Sequence, residues 1–248
     1  MSKSLIISRF NEDISWLEDF EDFKVIIYNK GEKLAKSKFK NIIELSNVGK
    51  ESHTWIYHII KNYDNLDDIN IFLQGRIDDL GCMAYKNPND YIKRINKYGF
   101  VASRFGMLGP FHWEWNVGIK NNPKYKKAWE NNEISKSKIG FRAFSKKLFP
   151  CIPLFVSTSY GGCFAVKKES IKNYDINFYR KLLDSLNKSR DPIEGHYMER
   201  LWCYMFTKNA PFLDSFIDVI YTKITRLRLI QQDFKKSNKY IQQDHSLP

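Results

Sequence analysis

The sequence has little cysteine: its 248 residues include only four, at Cys82, Cys151, Cys163 and Cys203. These residues are widely spaced, and no two of them form a Cys-x-x-Cys pair. Such spacing argues against a zinc cluster and provides no disulfide framework. We therefore expect all four cysteines to be reduced and buried as small hydrophobic side chains.

Long apolar runs are also missing. No run approaches the roughly 18 residues that a membrane-spanning helix needs. Residues 1–4 lead directly into a strand-like apolar pattern, without the apolar segment of a signal peptide. The sequence therefore predicts a cytoplasmic protein, and the inner face of a membrane is a surface to which it could bind peripherally.

Acidic residues are fewer than basic ones, 28 against 40, which gives a net charge of +12. The excess is concentrated in residues 120–147 and 223–239, where lysine and arginine far outnumber aspartate and glutamate. Basic surfaces attract polyanions such as nucleic acid, anionic lipid and small molecules that carry a diphosphate. A solvated, lysine-rich face without such a partner is the alternative.

Strand and helix patterns alternate over the first 80 residues. Strands are predicted near 5–8, 24–28 and 69–73, and helices near 12–21 and 51–63. This alternation is typical of βαβ units, so we expect an α/β fold with a mostly parallel central sheet flanked by helices. With 43% hydrophobic residues, the chain is large enough to bury the core of one such domain.

The rest of the chain is less regular. Glycine and proline interrupt residues 99–160, which we interpret as an irregular insertion or lid region within a domain spanning 1–210 rather than as a second domain. A strand is predicted at 160–166, followed by helices near 168–187 and 192–208. Residues 211–248 are predicted to form a basic amphipathic helix, near 212–236, and a frayed tail.

Polar side chains follow the predicted strands at the points where these strands end. Residues 71–73 run into Gln74, Gly75 and Arg76, and then into the pair Asp78 and Asp79. Ligands of open α/β sheets bind outside the carboxyl ends of the strands, so this loop is a candidate site. Adjacent carboxylates suit a divalent cation that bridges to phosphate oxygens, although acidic pairs are also common in ordinary loops.

Residues 47–53 span the start of the predicted helix 51–63. Free backbone N–H groups at a helix start, together with Lys50, could hold an anionic group. Ordinary helix capping around Asn47 and Glu51 is the alternative interpretation, and the two do not exclude each other.

A second cluster of polar residues lies near the start of the predicted helix 192–208. Asp191 and Glu194 have the spacing of a capping box with Pro192 between them, which gives Glu194 a structural role. His196 and Glu199 are three residues apart and share a helix face. A carboxylate beside an imidazole is a plausible base for activating a hydroxyl, and a surface ion pair has the same spacing.

Aromatic and polar residues alternate over 111–116, as in a strand that places Trp113 and Trp115 on one side. Burial in the core is the ordinary outcome for such residues. A stacking platform for a sugar ring or a base is the alternative.

Six segments carry a family resemblance. They are Arg9-Phe10-Asn11-Glu12-Asp13 with Trp16, Tyr28-Asn29-Lys30-Gly31, Asn47-Val48-Gly49-Lys50-Glu51, Phe72-Leu73-Gln74-Gly75, Gly162-Cys163-Phe164-Ala165-Val166 and His196-Tyr197-Met198-Glu199-Arg200-Leu201-Trp202. In this order, over residues 5–208, they resemble a family of uncharacterised glycosyltransferase-like domains. The third and sixth segments are also similar to those of capsule and rhamnan-type polysaccharide transferases, whose domains adopt the GT-A nucleotide-sugar fold.

The resemblance implies a GT-A-like, Rossmann-like fold and roles for particular residues. The nucleotide would be held by Arg9, Asn11, Glu12, Asn47, Gly49, Lys50, Glu51 and His53. Gln74, Gly75 and Arg76 would also contact the donor, and Asp78 and Asp79 would occupy the place of the metal-binding Asp-x-Asp of GT-A enzymes. The catalytic base would come from Glu194, His196 or Glu199.

The chain departs from the family pattern at the metal position. No true Asp-x-Asp is present, and Asp79 is followed by Leu80 where the family pattern has histidine after the aspartate. Dependence on manganese or magnesium therefore stays open, because Arg76 or Lys50 could neutralise the diphosphate instead.

The resulting hypothesis is a glycosyltransferase that moves a sugar from a nucleoside diphosphate to a glycan or lipid-linked acceptor, with inversion and a carboxylate base. The basic C-terminal helix would contact an anionic membrane. The rival is a non-catalytic basic module that binds nucleic acid or another polyanion, against which the acidic residues at the strand ends argue. A nucleotide-sugar hydrolase on the same fold is a third hypothesis.

Overall fold

The computed structural model describes residues 1–34, 38–77, 85, 87–109 and 123–207. These residues form an α/β domain in which helices flank a mixed sheet. The strands are β1 (Lys3–Arg9), β2 (Lys24–Asn29), β3 (Ile42–Glu44), β4 (Ile69–Gln74), β5 (Phe100–Ala102), β6 (Phe105–Leu108), β7 (Val156–Ser159) and β8 (Phe164–Lys167). The α-helices are α1 (Lys50–Lys61), α2 (Pro88–Arg94), α3 (Pro123–Glu130), α4 (Phe141–Leu148), α5 (Lys168–Lys172), α6 (Ile176–Leu186) and α7 (Ile193–Thr207). Short 3₁₀ helices occupy Ser15–Asp19 and Tyr63–Asn65.

The six-stranded sheet has the order β3-β2-β1-β4-β8-β5. Strands β3, β2, β1 and β4 are mutually parallel, whereas β8 is antiparallel to both β4 and β5. From β1, the next two strands in the sequence, β2 and β3, are added on one side of the sheet. The following strand, β4, is added on the other side of β1. The carboxyl ends of β1 and β4 therefore meet at a topological switch point, where open α/β sheets place their ligands.

The central strands are apolar on both faces. Leu5, Ile6 and Ile7 of β1 are fully buried, and so are Ile71 and Phe72 of β4. Continuous apolar runs are typical of parallel strands that are covered by other elements on both sides. The predicted α/β class, the mostly parallel sheet and the three early strands are thus confirmed, and the sheet is mixed because β8 is antiparallel to its two neighbours.

Helix α1 packs its apolar stripe against the sheet, as its sequence pattern predicts. Trp55, Ile56 and Ile59 are fully buried. The Trp55 indole N–H donates a hydrogen bond to the Gly162 carbonyl oxygen at 2.9 Å, and its ring lies edge-on to Phe72 with 5.3 Å between centroids. Trp55 is therefore a core residue that ties α1 to the turn before β8.

Other elements differ from the sequence prediction in detail. The predicted helix 168–187 consists of two helices, α5 and α6, because the Asp175 carboxylate accepts a hydrogen bond from the Phe178 N–H and starts a new helix. The segment 12–21 forms only the 3₁₀ helix Ser15–Asp19. Strand β5, within the segment interpreted as an insertion, pairs with β8 in the main sheet.

The prediction of buried cysteines is confirmed for Cys163 and Cys203 and wrong for Cys151, which is exposed. Cys151 follows the end of α4, where Phe149 rather than the cysteine turns into the core. The predicted metal pair Asp78 and Asp79, the stacking candidates Trp113 and Trp115, Cys82 and the helix 212–236 lie outside the described residues. Within the described part of the chain, no helix has the length and apolar character required to cross a bilayer.

The lowered pKa values of two buried histidines predict that the protein loses folding stability as the pH falls. Burial, together with nearby lysine charge, lowers the pKa of His53 to about 4 and that of His58 to about 3. Both are neutral in the native state at pH 5, whereas unfolded histidine with a pKa near 6.5 binds a proton there. The unfolded state binds more protons in this window, so stability falls as the pH falls from 7 to 5, by about 2 kcal/mol for each histidine.

The measurement is urea unfolding at pH 7 and pH 5 of the wild type and of His58→Gln, which retains a polar partner for the Tyr28 hydroxyl, 2.9 Å from His58 Nδ1. The variant should lose about half of the pH dependence that the two histidines produce. Equal pH dependence in the two proteins would contradict the assignment of a neutral, buried His58.

Candidate active site

A cleft of about 270 Å³ lies at the carboxyl edge of the parallel strands. It is bordered by the end of β4, the start of α1, the turn before β8 and the start of α7, with one aromatic residue from α3. The lining residues are Gly49, Lys50, Glu51, Ser52, Gln74, Tyr125, Gly161, Asp191, Pro192, Gly195, His196 and Glu199. Segments that are far apart in sequence therefore bring polar side chains together at the place that the strand order indicates.

The start of α1 is a left-handed turn. Gly49 and Lys50 have φ values of +61° and +46°. A Cβ atom at Gly49 would lie 2.6 Å from the Leu186 carbonyl oxygen, so only glycine fits between α1 and α6 at this point. The Gly49 N–H donates to the Ser189 carbonyl oxygen at 2.9 Å. This geometry directs the next two side chains, Lys50 and Glu51, to the cleft.

Lys30 binds the backbone of the same turn through its side chain. It follows β2 directly and is buried, and its ammonium group donates to the carbonyl oxygens of Val48 and Lys50 at 2.6 and 2.5 Å. Burial lowers the pKa of Lys30 to about 8, although the charge of Glu51 opposes this shift. The sequence analysis assigned Lys30 no role, and the only local signal was a cation placed directly after an apolar strand.

Asp191 links the Lys50 ammonium group and the His196 imidazole of the cleft. One carboxylate oxygen is 2.9 Å from His196 Nε2 and the other is 2.5 Å from Lys50 Nζ. Burial opposes ionisation of Asp191, but the hydrogen bonds and charges of His196 and Lys50 outweigh it and lower its pKa. The edge of the Tyr125 ring packs on the imidazole, with 5.6 Å between centroids. The His196 ring is thereby held in one orientation at the cleft wall.

Glu199 faces the cleft from the second turn of α7. Its Oε1 accepts a hydrogen bond from the Gly161 N–H at 2.5 Å, and the Gly161 carbonyl oxygen accepts one from Gln74 Nε2 at 3.1 Å. Glu51 reaches the same cleft from α1, and burial together with the charge of Glu199 raises the pKa of its carboxyl.

Sequence comparison assigns the chain to a family. Residues 5–216 match the family described as a protein of unknown function, DUF3431. The chain belongs to this family. No curated protein and no solved structure matches it. The match spans every lining residue of the cleft, so the DUF3431 domain contains the whole candidate site.

Six of the residues predicted from sequence line the cleft of this DUF3431 domain: Gly49, Lys50, Glu51, Gln74, His196 and Glu199. Glu194 and His53 do not. Glu194 is buried at the first turn of α7 with its carboxylate 3.8 Å from Lys188 Nζ, and His53 stacks on Tyr57. Asn47 lies half-buried before the turn. Of the two carboxylates proposed as a base, only Glu199 therefore faces the cleft.

Asp191, Gly161 and Tyr125 complete the site and were missed as site residues. The sequence suggested a cap for Asp191, yet both of its carboxylate oxygens bind polar side chains of the cleft. The sequence analysis placed Gly161 only at the start of a predicted strand, 160–166. No local pattern indicates that the Gly161 N–H meets a carboxylate 38 residues away.

Polar side chains of the loop after β1 contact that loop itself and the loop after β2. The Arg9 guanidinium binds the Asn29 side chain at 2.7 Å and the Glu32 carbonyl oxygen at 3.0 Å, and the Glu32 N–H donates to the Asn11 side chain. The Glu12 carboxylate accepts from the Phe10 N–H at 2.6 Å. These contacts assign to Arg9 and Asn11 the task of holding the loops after β1 and β2 together.

A second cavity, of about 490 Å³, lies beside this loop. Glu12, Arg76 and the Trp16 indole are among its lining residues. The Trp16 N–H donates to the Gly75 carbonyl oxygen at 2.8 Å, and the Gly75 N–H donates to the Ser8 carbonyl oxygen at 2.9 Å. Of the residues predicted to hold the nucleotide-sugar donor, Glu12 and Arg76 thus border a cavity separate from the one that holds Glu199.

Metal binding finds no support in the described part of this DUF3431 chain. No group of three or more histidine, cysteine, aspartate or glutamate side chains there is arranged to hold an ion. In the described cleft, cationic charge near the carboxylates is supplied by Lys50 and, from below, by Lys30.

Proposed function

We propose that this protein is a glycosyltransferase that moves a sugar from a nucleoside diphosphate donor to a hydroxyl group of a glycan or lipid-linked acceptor. The observation that carries the proposal is the convergence of Glu199, His196 and Lys50 in one cleft at the carboxyl edge of the sheet. The switch point between β1 and β4 is where α/β folds bind nucleotides, which favours a GT-A-like arrangement.

The reaction requires a base for the acceptor hydroxyl and positive charge for the leaving diphosphate. Glu199 would take the hydroxyl proton as the acceptor oxygen bonds to the anomeric carbon of the sugar, from the face opposite the diphosphate. This single displacement inverts the anomeric centre. His196, fixed by Asp191, would hold a sugar or acceptor oxygen by a hydrogen bond.

Lys50 would contribute positive charge near the diphosphate, with Arg76 on the neighbouring loop as a second cation. A divalent ion, if the protein uses one, would be held by Asp78 and Asp79 and would supply further positive charge there. Contact of residues 211–248 with an anionic membrane would bring the protein to a lipid-linked acceptor.

The test is a thermal-shift screen of the full chain against nucleoside diphosphates and their sugars, with and without manganese, at moderate salt. A donor at about 100 times its dissociation constant should stabilise the protein by about 2.7 kcal/mol. We expect selective stabilisation by one nucleotide class, and formation of a glycoside when a suitable acceptor is added.

Two controls make this result specific. Lys50→Ala should weaken the shift, whereas Lys33→Ala, at an exposed site after β2, should leave it unchanged. A protein that shows no shift with any nucleotide, but binds single-stranded nucleic acid in a salt-sensitive manner, would overturn the proposal in favour of the basic binding module.

A further inference from the structure

Two carboxyl groups of the cleft flank a single glycine turn. Gly161 and Gly162 both have positive φ values, +87° and +66°. The Gly161 N–H donates to Glu199 Oε1, and a Cβ atom at Gly162 would lie 3.0 Å from Glu51 Oε1. The side chains of Glu199 and Glu51 therefore meet the same turn, the first at Gly161 and the second at Gly162.

The two carboxyl groups have different surroundings. The Glu199 carboxyl accepts a hydrogen bond from the Gly161 N–H. None of the described residues forms an ion pair with Glu51. The charged and titratable groups that face it are Lys50 on its own helix, Lys30 after β2, and His196 and Glu199 on α7.

The net effect of these surroundings on Glu51 favours the neutral acid. Burial raises the pKa of its carboxyl, and the negative charge of Glu199 raises it further, while its own backbone N–H, Lys50 and His196 act in the opposite direction. Two carboxyl groups near one another cannot easily both ionise. The proton therefore stays on Glu51, where burial and the charge of Glu199 outweigh the groups that favour ionisation.

We propose that Glu51 is the acid of this carboxyl pair and protonates the leaving diphosphate, while Glu199, on the other side of the glycine turn, acts as the base. This inference rests on the proposed glycosyl transfer. It gives the two glutamates, which sequence reasoning placed in separate nucleotide-binding and catalytic groups, complementary roles across one turn.

The proton balance is complete. The bond between the anomeric carbon and the diphosphate oxygen breaks, its electron pair stays on that oxygen, and the oxygen takes the Glu51 proton. The new bond joins the anomeric carbon to the acceptor oxygen, whose proton passes to Glu199. When the products leave, the proton on Glu199 returns to Glu51 and restores the starting state.

A proton on Glu51 also suits the charge of the ligand. An anionic diphosphate that enters the cleft meets the carboxyl groups of Glu51, Asp191 and Glu199. Neutralising Glu51 removes one repulsive charge and replaces it with an O–H donor, which can hydrogen bond to a phosphate oxygen. The cleft thereby accepts a leaving group of negative charge with Lys50 as its nearest ammonium.

The first test needs no substrate. The full chain is labelled with ¹³C at the glutamate side-chain carboxyls, and their resonances are followed against pH. We expect one resonance that titrates at higher pH than those of exposed glutamates, that is absent from Glu51→Gln, and that titrates at lower pH in Glu199→Gln. Glu169→Gln, on α5 beyond the opposite end of β8, serves as the control and should leave it unchanged.

A Glu51 resonance that titrates together with the exposed glutamates, or whose titration is unaffected by Glu199→Gln, would overturn the inference. If Glu51→Gln does not fold, the Glu51 carboxyl resonance is assigned in the wild type by through-bond correlation to its backbone. This result is independent of turnover, so it decides the protonation of Glu51 even if no nucleotide sugar proves to be a substrate.

The second test uses the donor that the thermal-shift screen identifies. Glu51→Gln retains a hydrogen-bond donor but cannot release a proton, so kcat should fall by about 10²- to 10⁴-fold with little change in KM. The loss of activity at high pH, which reports deprotonation of Glu51 in the wild type, should disappear in the variant. A variant that retains this alkaline limb, or full turnover, would overturn the role as acid.

Discussion

Replacing Glu199 by glutamine is expected to lower kcat for sugar transfer by about 10²- to 10⁴-fold, because the amide cannot accept the proton of the acceptor hydroxyl. Glutamine retains a side-chain oxygen that can accept the Gly161 N–H, so the turn before β8 should keep its geometry. Donor binding should therefore persist. The measurements are steady-state kinetics and the thermal shift with the donor, made on the same variant.

Glu194→Gln is the matched control, since it places the same change on the same helix, outside the cleft. Glu194 is 6% exposed and its carboxylate lies near Lys188. The control should lose about 1 kcal/mol of stability and retain its turnover. If both variants retain full activity, neither carboxylate is the base; if only Glu194→Gln is inactive, the assignment is reversed.

Replacing Lys30 by methionine is expected to destabilise the protein by about 2–4 kcal/mol at pH 7. The ammonium group is the donor for two carbonyl oxygens of the turn before α1, and its loss leaves both without that partner. The turn carries Lys50 and Glu51, so donor binding should weaken as well. Urea unfolding and the thermal shift with the donor measure the two effects.

The matched control is Lys33→Met, which makes the same change at an exposed site and should alter stability by less than about 0.5 kcal/mol.

The pH dependence of stability tests the lowered pKa of Lys30, because the direction of the change is predicted. Between pH 8 and 10.5 the unfolded chain retains a proton that native Lys30 releases, so the stability of the wild type relative to Lys30→Met should rise with pH. A difference that falls with pH, or a variant as stable as the wild type, would contradict the role of Lys30.

Local pattern was sufficient for three of the four parallel strands, β1, β2 and β4, and insufficient for β3 and for the antiparallel pairing of the sheet. The apolar runs of β1, β2 and β4 and the stripe of α1 are properties of short windows, so the sequence predicts them directly. The antiparallel insertion of β8 between β4 and β5 depends on pairing between strands about 90 residues apart, such as Phe72 with Phe164. No window of the sequence contains that information.

The candidate site divides in the same way. His196 and Glu199 could be predicted as neighbours because their helical spacing places them on one face. The spacing of Asp191 from Glu194 indicated a cap, but tertiary contacts with His196 and Lys50 determine where the Asp191 carboxylate lies. The contacts of Lys30 could not be predicted from its position after an apolar strand, because its hydrogen-bond acceptors are backbone carbonyl oxygens, which every residue type provides.

The position of β8 has a consequence for how the chain folds during synthesis. Residues 1–77 contain all four parallel strands, whose contacts are comparatively local. One edge of that unit, β4, stays unpaired until residues 164–167 of β8 have been made. Strand β5 also pairs with β8 and so is unpaired until then. An open, apolar strand edge is a template for association between chains. Truncated or stalled chains that end before β8 are therefore expected to aggregate, and the high contact order of the completed sheet should make its last folding step slow.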